Sequence, residues 1–390
     1  MRIALILYHV SATRGGVERV VWTLSQALAA RGHEVHLVCH RRDPAGLPAG
    51  IAVQEVPAAT WSSALRYASF ARNVAAFLRG APFDVTNGFG RTYGHDVVRV
   101  GGGSHWEYLL HTKPAMRNPL VRLMRRWNPR DRTILALERR ALAPGTCRRV
   151  VCVSRRVRDE VKRYFGVPDE SLVVIPNGVD VRRFHPADRA ARRPAARKRL
   201  GIRDDELAAL FAGTGFARKG LETAIGACAR LASTTPLRLI VAGRDAPGAF
   251  RRRAQAAGLG DRIVFLGESP EIESLYAAAD FFLLPTRYDP FPNACLEAMA
   301  CGLPVLTTAV TGVAEILSPG VDGFVVEAED GGASAAAAIR ELLDPARREA
   351  VGRAARSTAE RHGVEIFVDR MLRVYEEVVA LKAAAREQAG

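Results

Sequence analysis

No apolar run in the 390-residue chain is longer than a strand, so no transmembrane helix is expected. The first ten residues have an apolar core but no cleavage site after it, and they read as a first strand rather than a signal peptide. Cysteine is sparse. The six residues (Cys39, Cys147, Cys152, Cys228, Cys295 and Cys301) show no C-x-x-C pair and no zinc-like Cys/His spacing. They read as small buried hydrophobes in a reducing compartment. The G-x-G-x-x-G of dinucleotide dehydrogenases and the G-x-x-x-x-G-K-[ST] of P-loop proteins are both missing. Aromatic content is only 7% and no nucleic-acid-binding motif appears. Acidic residues are scarce in the first half: residues 1–180 hold 27 Lys+Arg against 14 Asp+Glu, the remainder 29 against 27.

What is present describes a folded, two-domain chain. Hydrophobic residues make up 48% and mean hydropathy is −0.01, enough to bury sizeable cores. The length exceeds that of one ordinary domain. The net charge of +15 is concentrated in residues 113–158, where 14 basic residues face 2 acidic ones. Such asymmetry points to an anionic partner, either phospholipid head groups, a phosphorylated glycan or nucleic acid, or else to a merely soluble basic surface.

Along the chain, strand and helix patterns alternate. RIALILYHV is a strand, Gly15-Gly16 a turn, and Val17, Val20, Val21, Leu24 and Leu28 form a helical stripe ending at Gly32. Residues 34–40 are the next strand, 62–80 a helix and 83–89 a strand with its loop. The stretch 97–110 runs from a strand into Gly101-Gly102-Gly103, then Ser104, His105 and Trp106. Three adjacent glycines cost backbone entropy, which suggests that something packs against main chain there. His105 reads either as a loop histidine or as a site residue. In residues 113–145, Leu120, Leu123, Met124 and Trp127 alternate with arginines. That pattern fits a helix at an anionic membrane surface, and equally one packed on its own domain with arginine stems covering it. After a strand at 148–154 and a helix at 155–165, Pro176-Asn177-Gly178 supplies turn chemistry suited to a hinge.

Residues 185–205 read as a surface linker or helix. A strand, a loop with Gly213, Gly215, Arg218, Lys219 and Gly220, and a helix follow, and strands at 237–243 and 262–268 continue a parallel sheet. Two cations beside a glycine at a helix start make a good diphosphate clamp. Residues 332–361 read as helix, as do residues 363–386.

The most informative stretch is DFFLLPTRYDPFPNACLEAMACGLPVLTT, residues 280–308. Phe281–Leu284 reads as a buried parallel strand, Pro292-Asn293 opens a helix that Gly302 closes, and Pro304–Thr308 is the next strand. A strand, loop and helix start form one half of an α/β ligand crevice, and the helix start suits a phosphate. Asp289 and Glu297 bracket that start. Carboxylates would repel phosphate, so they more plausibly accept hydrogen bonds from sugar hydroxyls.

Asp289, seven residues, then Glu297 with LEAMACGLPVLTT, resembles the Glu-x7-Glu signature of retaining glycosyltransferases of family 4. Asp stands at the first position, one methylene shorter. "IPNGVD" is similar to that family's interdomain crossing, and TGVAEILSPGVDGFVVE to its closing GG-x-x-E segment, with Thr311 in place of the first glycine and Glu315 as a weak ligand candidate. The resemblance is to the branch that glucosylates the lipopolysaccharide core. It implies the GT-B fold: two Rossmann-like domains facing across a cleft, parallel sheets flanked by helices. It places an acceptor domain at 1–180, with the terminal helix crossing back to it, and a nucleotide-sugar domain at 181–362. By the same resemblance, Arg218 and Lys219 grip the donor pyrophosphate, Phe291, Pro292, Asn293 and Ala294 lie along the phosphates, and Glu297 holds the ribose. Asp289 sits toward the donor sugar, His105 near the reacting sugar, Gly15, Gly16 and Gly215 against the donor, and Glu268–Ile272 at the nucleobase. No metal and no cofactor beyond the co-substrate are implied. The implied donor is UDP-glucose and the acceptor an anionic or phosphorylated glycolipid. The enzyme would sit in the cytoplasm on the inner-membrane surface, held by its basic half, with no nucleic acid involved. Two alternatives remain. A nucleotide-sugar epimerase of the same fold would consume donor without acceptor, and a nucleic-acid binder would ignore UDP and bind in a salt-dependent way.

Overall fold

The computed structural model describes residues 1–11, 15–43, 50–112, 116, 118, 120, 121, 127–269 and 271–388. It divides into two compact units, Met1–Gly178 with Val364–Gly390, and Val179–Gly363.

The first unit is built on a parallel sheet. Its strands are β1 (Arg2–Ile6), β3 (Glu34–Cys39), β5 (Ile51–Glu55), β6 (Val85–Gly88), β7 (Val97–Val100), β8 (Arg149–Cys152) and β9 (Leu172–Val174). They lie in the order β5-β3-β1-β6-β7-β8-β9, while β2 (His9–Val10) pairs separately with β4 (Arg41–Arg42). Side chains alternate across β1: Ile3 and Leu5 enter one hydrophobic cluster, Ala4 and Ile6 the other. On the first face, Val20, Val21, Leu24 and Leu28 of helix Gly16–Ala30 meet Phe367, Met371, Val374 and Val378 of the terminal helix Val364–Glu387. Each such fully buried side chain contributes about 1.5–3 kcal/mol. One polar tie runs through this core: Asn87 Nδ2 donates to the Tyr375 hydroxyl at 2.7 Å. Phe70 and Val74 of helix Ser63–Arg79 cover the opposite face.

The second unit has its own parallel sheet, ordered β12-β11-β10-β13-β14-β15. These strands are β10 (Leu207–Ala212), β11 (Leu237–Ala242), β12 (Ile263–Gly267), β13 (Phe281–Leu284), β14 (Val305–Thr308) and β15 (Phe324–Val326). From β10 the chain winds outward through β11 and β12, then returns to place β13 on the other side of β10. That reversal opens a crevice beyond the carboxyl ends of β10 and β13, the general ligand position in open α/β sheets. In the first unit the equivalent reversal lies between β1 and β6.

Several elements depart from the sequence reading. Strand Ile51–Glu55 and helix Gly248–Ala256 were not anticipated, and the helical stretch at 332–361 is two helices, Ala333–Glu341 and Pro345–Glu360. Asp344 caps the second by accepting from the Ala346 N–H at 3.0 Å, with Pro345 opening the helix. Of the two readings of residues 185–205, surface linker or helix, the structure has the helix over Pro186–Arg199. Helix Pro186–Arg199 presents Arg189, Arg193 and Arg197, four residues apart, to one end of helix Ile272–Ala278. Arg189 and Arg193 both donate to the Ala279 carbonyl (2.8 and 3.0 Å), and Arg193 and Arg197 hold the two oxygens of Asp280 (2.6 and 3.3 Å). The buried face is cationic, which conceals it from an apolar-periodicity reading. Of the basic excursion, helix Pro129–Leu142 is described, whereas Leu123 and Met124 lie outside the described residues. Among the described residues no helix is long and apolar enough to cross a membrane.

Candidate active site

In the second unit the loops after β10 and β13 carry the charged cluster. A single helical turn, Phe216–Lys219, follows β10, wedged by Phe216 edge-on against Phe211 and Phe250. Its N-terminal end is held by Asp245, whose Oδ2 accepts from the Gly215 and Phe216 N–H groups. Gly215 therefore spends its N–H internally and acts through loop shape. Gly220 ends the turn at φ 80°, and a Cβ there would overlap the Pro285 carbonyl. Only glycine lets this loop pass so close to the end of β13.

The turn aims Arg218 and Lys219 at the β13 loop, where both meet Asp289. Lys219 Nζ donates to Asp289 Oδ2, and Arg218 Nη1 lies 3.5 Å from the same oxygen. Arg218 also donates to the Tyr288 carbonyl at 2.9 Å. Lys219 and Asp289 are each 8% exposed. Burial alone would raise the Asp289 carboxyl, but the adjacent Lys219 and Arg218 charges hold it below its ordinary value. The two cations read as a phosphate clamp and the carboxylate read as a hydroxyl acceptor thus engage one another.

Helix Asn293–Ala300 starts beside this cluster with Pro292 as N-cap and no side-chain cap. Phe291 and Pro292 are buried, Asn293 and Ala294 half-buried. Glu297, one turn in and 6% exposed, accepts from the Tyr276 hydroxyl at 2.9 Å. Thr311 bridges to Asp289 through backbone pairing, and its side chain caps a short turn ending in Glu315 by accepting from the Ala314 N–H at 3.2 Å. The Thr-for-Gly departure is thus absorbed by a hydroxyl cap. Glu315 is half-buried. In the loop at 268–272, Glu268 faces Arg244 and Glu271 pairs with Arg199; Pro270 lies outside the described residues.

In the first unit, Gly15 precedes helix Gly16–Ala30 at φ 72°, with the Glu18 carboxylate filling the space a Cβ would take; Gly16 is exposed. The glycine loop after β7 leads into helix His105–Thr112. Three carboxylates pin this junction. Glu160 accepts from the Ser104 N–H, both oxygens of Glu138 accept from the His105 N–H at 3.2 Å, and Asp131 accepts from His105 Nε2 at 3.0 Å. His105 is buried, which lowers its pKa against the pull of Asp131. Glu138 is pushed up to about 7 by burial, partly opposed by Arg91 and the His105 N–H and reinforced by Glu160. Asp131, Glu138, Tyr276 and Asp245 escaped the sequence reading because each is 21 or more residues from its partner. On this unit's surface Trp61 and Trp127 are 90% and 74% exposed, and Arg132 lies 6.0 Å from the Trp127 ring. Among the described residues no group of three His, Cys, Asp or Glu side chains could hold a metal ion.

Comparison with known proteins places these two units. Residues 14–183 match the model of Glycosyltransferase Family 4 and residues 192–358 that of Glycosyl transferases group 1. A D-inositol 3-phosphate glycosyltransferase of Geodermatophilus obscurus is 34% identical over 293 residues, which is 72% of this chain but only 62% of that protein. The lipopolysaccharide glucosyltransferase WaaG of Escherichia coli is 27% identical, over 80% of this chain and 82% of its own. A crystal structure of WaaG, a glycosyltransferase involved in lipopolysaccharide biosynthesis, superposes with a TM-score of 0.80 at 25% identity, covering 96% of this chain and 99% of that one. The chain belongs to the GT-B glycosyltransferases, its first unit to family 4 and its second to group 1, with a resemblance to the lipopolysaccharide-core glucosyltransferase branch.

Proposed function

We propose that the enzyme transfers a hexosyl unit, with anomeric retention, from a nucleoside-diphosphate sugar bound by the second unit to an anionic acceptor taken by the first. The observation that carries the donor half is the convergence of Arg218, Lys219 and Asp289 at the reversal between β10 and β13, with Glu297 one turn into the helix that starts after the β13 loop. Breaking the glycosidic bond puts charge on the leaving diphosphate and on the sugar's ring oxygen and anomeric carbon. Lys219, Arg218 and the start of helix Asn293–Ala300 offer preorganised positive charge for the first. Asp289, released from the cations as they turn to phosphate, would accept from donor-sugar hydroxyls, and Glu297 from the ribose. The leaving phosphate would take the acceptor hydroxyl's proton. Arg218 and Lys219 would meet the diphosphate charge without a metal, and we expect transfer to continue in EDTA.

The donor reading is UDP-glucose and the acceptor reading a lipopolysaccharide-core glycan at the inner membrane's cytoplasmic face. WaaG's name and coverage support glucose and lipopolysaccharide, and the basic first unit and its exposed tryptophans support an anionic membrane surface. A second acceptor, D-inositol 3-phosphate, is favoured by the 34% identity to an enzyme named for it. Both are anionic. A thermal-shift screen across UDP-, GDP- and ADP-sugars tests the donor half, because a ligand that binds only the folded state raises the melting temperature. Transfer of labelled sugar to core glycan or to D-inositol 3-phosphate then separates the two acceptors. Failure of every nucleoside diphosphate to stabilise the protein would remove the reading. Donor consumption without acceptor would point instead to an epimerase.

A further inference from the structure

We propose that Tyr276 is a positioning residue for the nucleotide, holding Glu297 in the orientation that receives the ribose hydroxyls; this rests on the donor reading above. Tyr276 is fully buried in helix Ile272–Ala278, with its ring edge-on to Phe184 at 5.8 Å and tilted against Phe282 at 6.0 Å. Two aromatic neighbours fix the ring, so the hydroxyl has a defined position. It reaches Glu297 Oε2 at 2.9 Å and the Ala294 carbonyl at 3.1 Å. A phenol has one proton, and a carboxylate oxygen is a stronger acceptor than a backbone carbonyl. The same hydroxyl therefore touches the first turn of helix Asn293–Ala300, at Ala294, and the acid that follows one turn in.

A glutamate has three side-chain torsions, and fixing them on binding costs rotamer freedom. Tyr276 fixes the carboxylate before ligand arrives, so that cost falls on folding instead of on binding. A merely packing role would require the ring and not the hydroxyl. The Phe variant separates the two.

The test uses the full-length protein, with UDP and 2′,3′-dideoxy-UDP titrated by calorimetry into wild type, Tyr276→Phe, Glu297→Gln and the double variant. The ratio of the two affinities reports the ribose hydroxyls alone. Tyr276→Phe is expected to weaken UDP about tenfold, the worth of one hydrogen bond to a charged group, while leaving dideoxy-UDP nearly unchanged. The double variant should be no weaker than Glu297→Gln, because both substitutions break one chain of contacts. If Tyr276→Phe weakens both ligands equally, or its effect adds to that of Glu297→Gln, the positioning role is overturned while the Glu297 contact stands. If Glu297→Gln binds UDP as wild type does, the ribose reading falls, and this proposal with it. Should Tyr276→Phe melt below the assay temperature, Glu297→Asp is expected to show the same loss of ribose discrimination, since it draws the carboxylate back from the phenol. Retained discrimination there overturns the role.

Discussion

Replacing Asp289 by Asn separates two contributions of one carboxylate, to stability and to nucleotide binding. In wild type one carboxylate oxygen neutralises Lys219 and faces Arg218 in a buried setting. Removing that charge leaves the Lys219 ammonium buried without its counterion, a change that costs about 3–5 kcal/mol in comparable pairs. Asn is nearly isosteric and its carbonyl still accepts from Lys219, so the low end, about 3 kcal/mol, is expected. For a unit of this size that lowers the melting temperature by roughly 6–12 °C. With the nucleotide the balance reverses. A carboxylate about 6 Å from a phosphate oxygen repels it by about 3 kcal/mol per unit charge at an effective dielectric near 20. Asp289→Asn is thus expected to bind UDP at least tenfold more tightly, to show a larger UDP-induced rise in melting temperature than wild type, and to lose sugar transfer. Differential scanning fluorimetry across a UDP titration, with calorimetry for the affinity, reads both contributions. A variant that melts with wild type refutes the ion-pair argument. One that melts early but binds UDP no better refutes the assignment of Lys219 and Arg218 to the diphosphate.

Lys219→Ala should lower kcat/KM for transfer by a factor of 100 to 1,000, about 3 kcal/mol, as loss of an oxyanion-stabilising donor does. Near-wild-type turnover would remove its role. Glu138 gives a pH signature. Its folded pKa of about 7 lies above the ordinary 4.5, so the folded chain binds the extra proton between those values. Stability should therefore fall as pH rises from about 4.5 to 7, by at most about 3 kcal/mol, and Glu138→Gln should flatten that slope in urea unfolding. An unchanged slope would place the proton elsewhere. Trp127→Ala should weaken binding to phosphatidylglycerol vesicles about tenfold at low salt while leaving UDP affinity unchanged. Equal vesicle binding would detach this surface from the membrane reading.

The alternation of strands and helices was legible because it is written locally. A strand buried on both faces is a short apolar run, and Phe281–Leu284 was delimited to the residue. Helix Gly16–Ala30 showed its stripe at Val20, Val21, Leu24 and Leu28 for the same reason. The resemblance at 280–308 named a family because a strand end, a loop and a helix start close together in sequence build one wall of a site. Elements whose buried face is not apolar were harder to read. Helix Pro186–Arg199 buries arginines, so the pattern left linker and helix both open, and the edge strand Ile51–Glu55, with only Ile51 buried, was missed.

Which residues serve one another is another matter. Lys219 and Asp289 are 70 residues apart, Tyr276 and Glu297 21, His105 and Asp131 26, and Asn87 and Tyr375 288. A one-dimensional pattern carries periodicity and turn chemistry, which depend on neighbours a few positions away. Partnership depends on strand order and on which loops the sheet reversal brings together. The local order of residues determined that this chain would form two wound α/β units bearing cations and acids at strand ends. Only the packed sheet decided that Lys219 would be quenched by Asp289 and that Glu297 would be held by a tyrosine, because those contacts form only after β13 has crossed back beside β10.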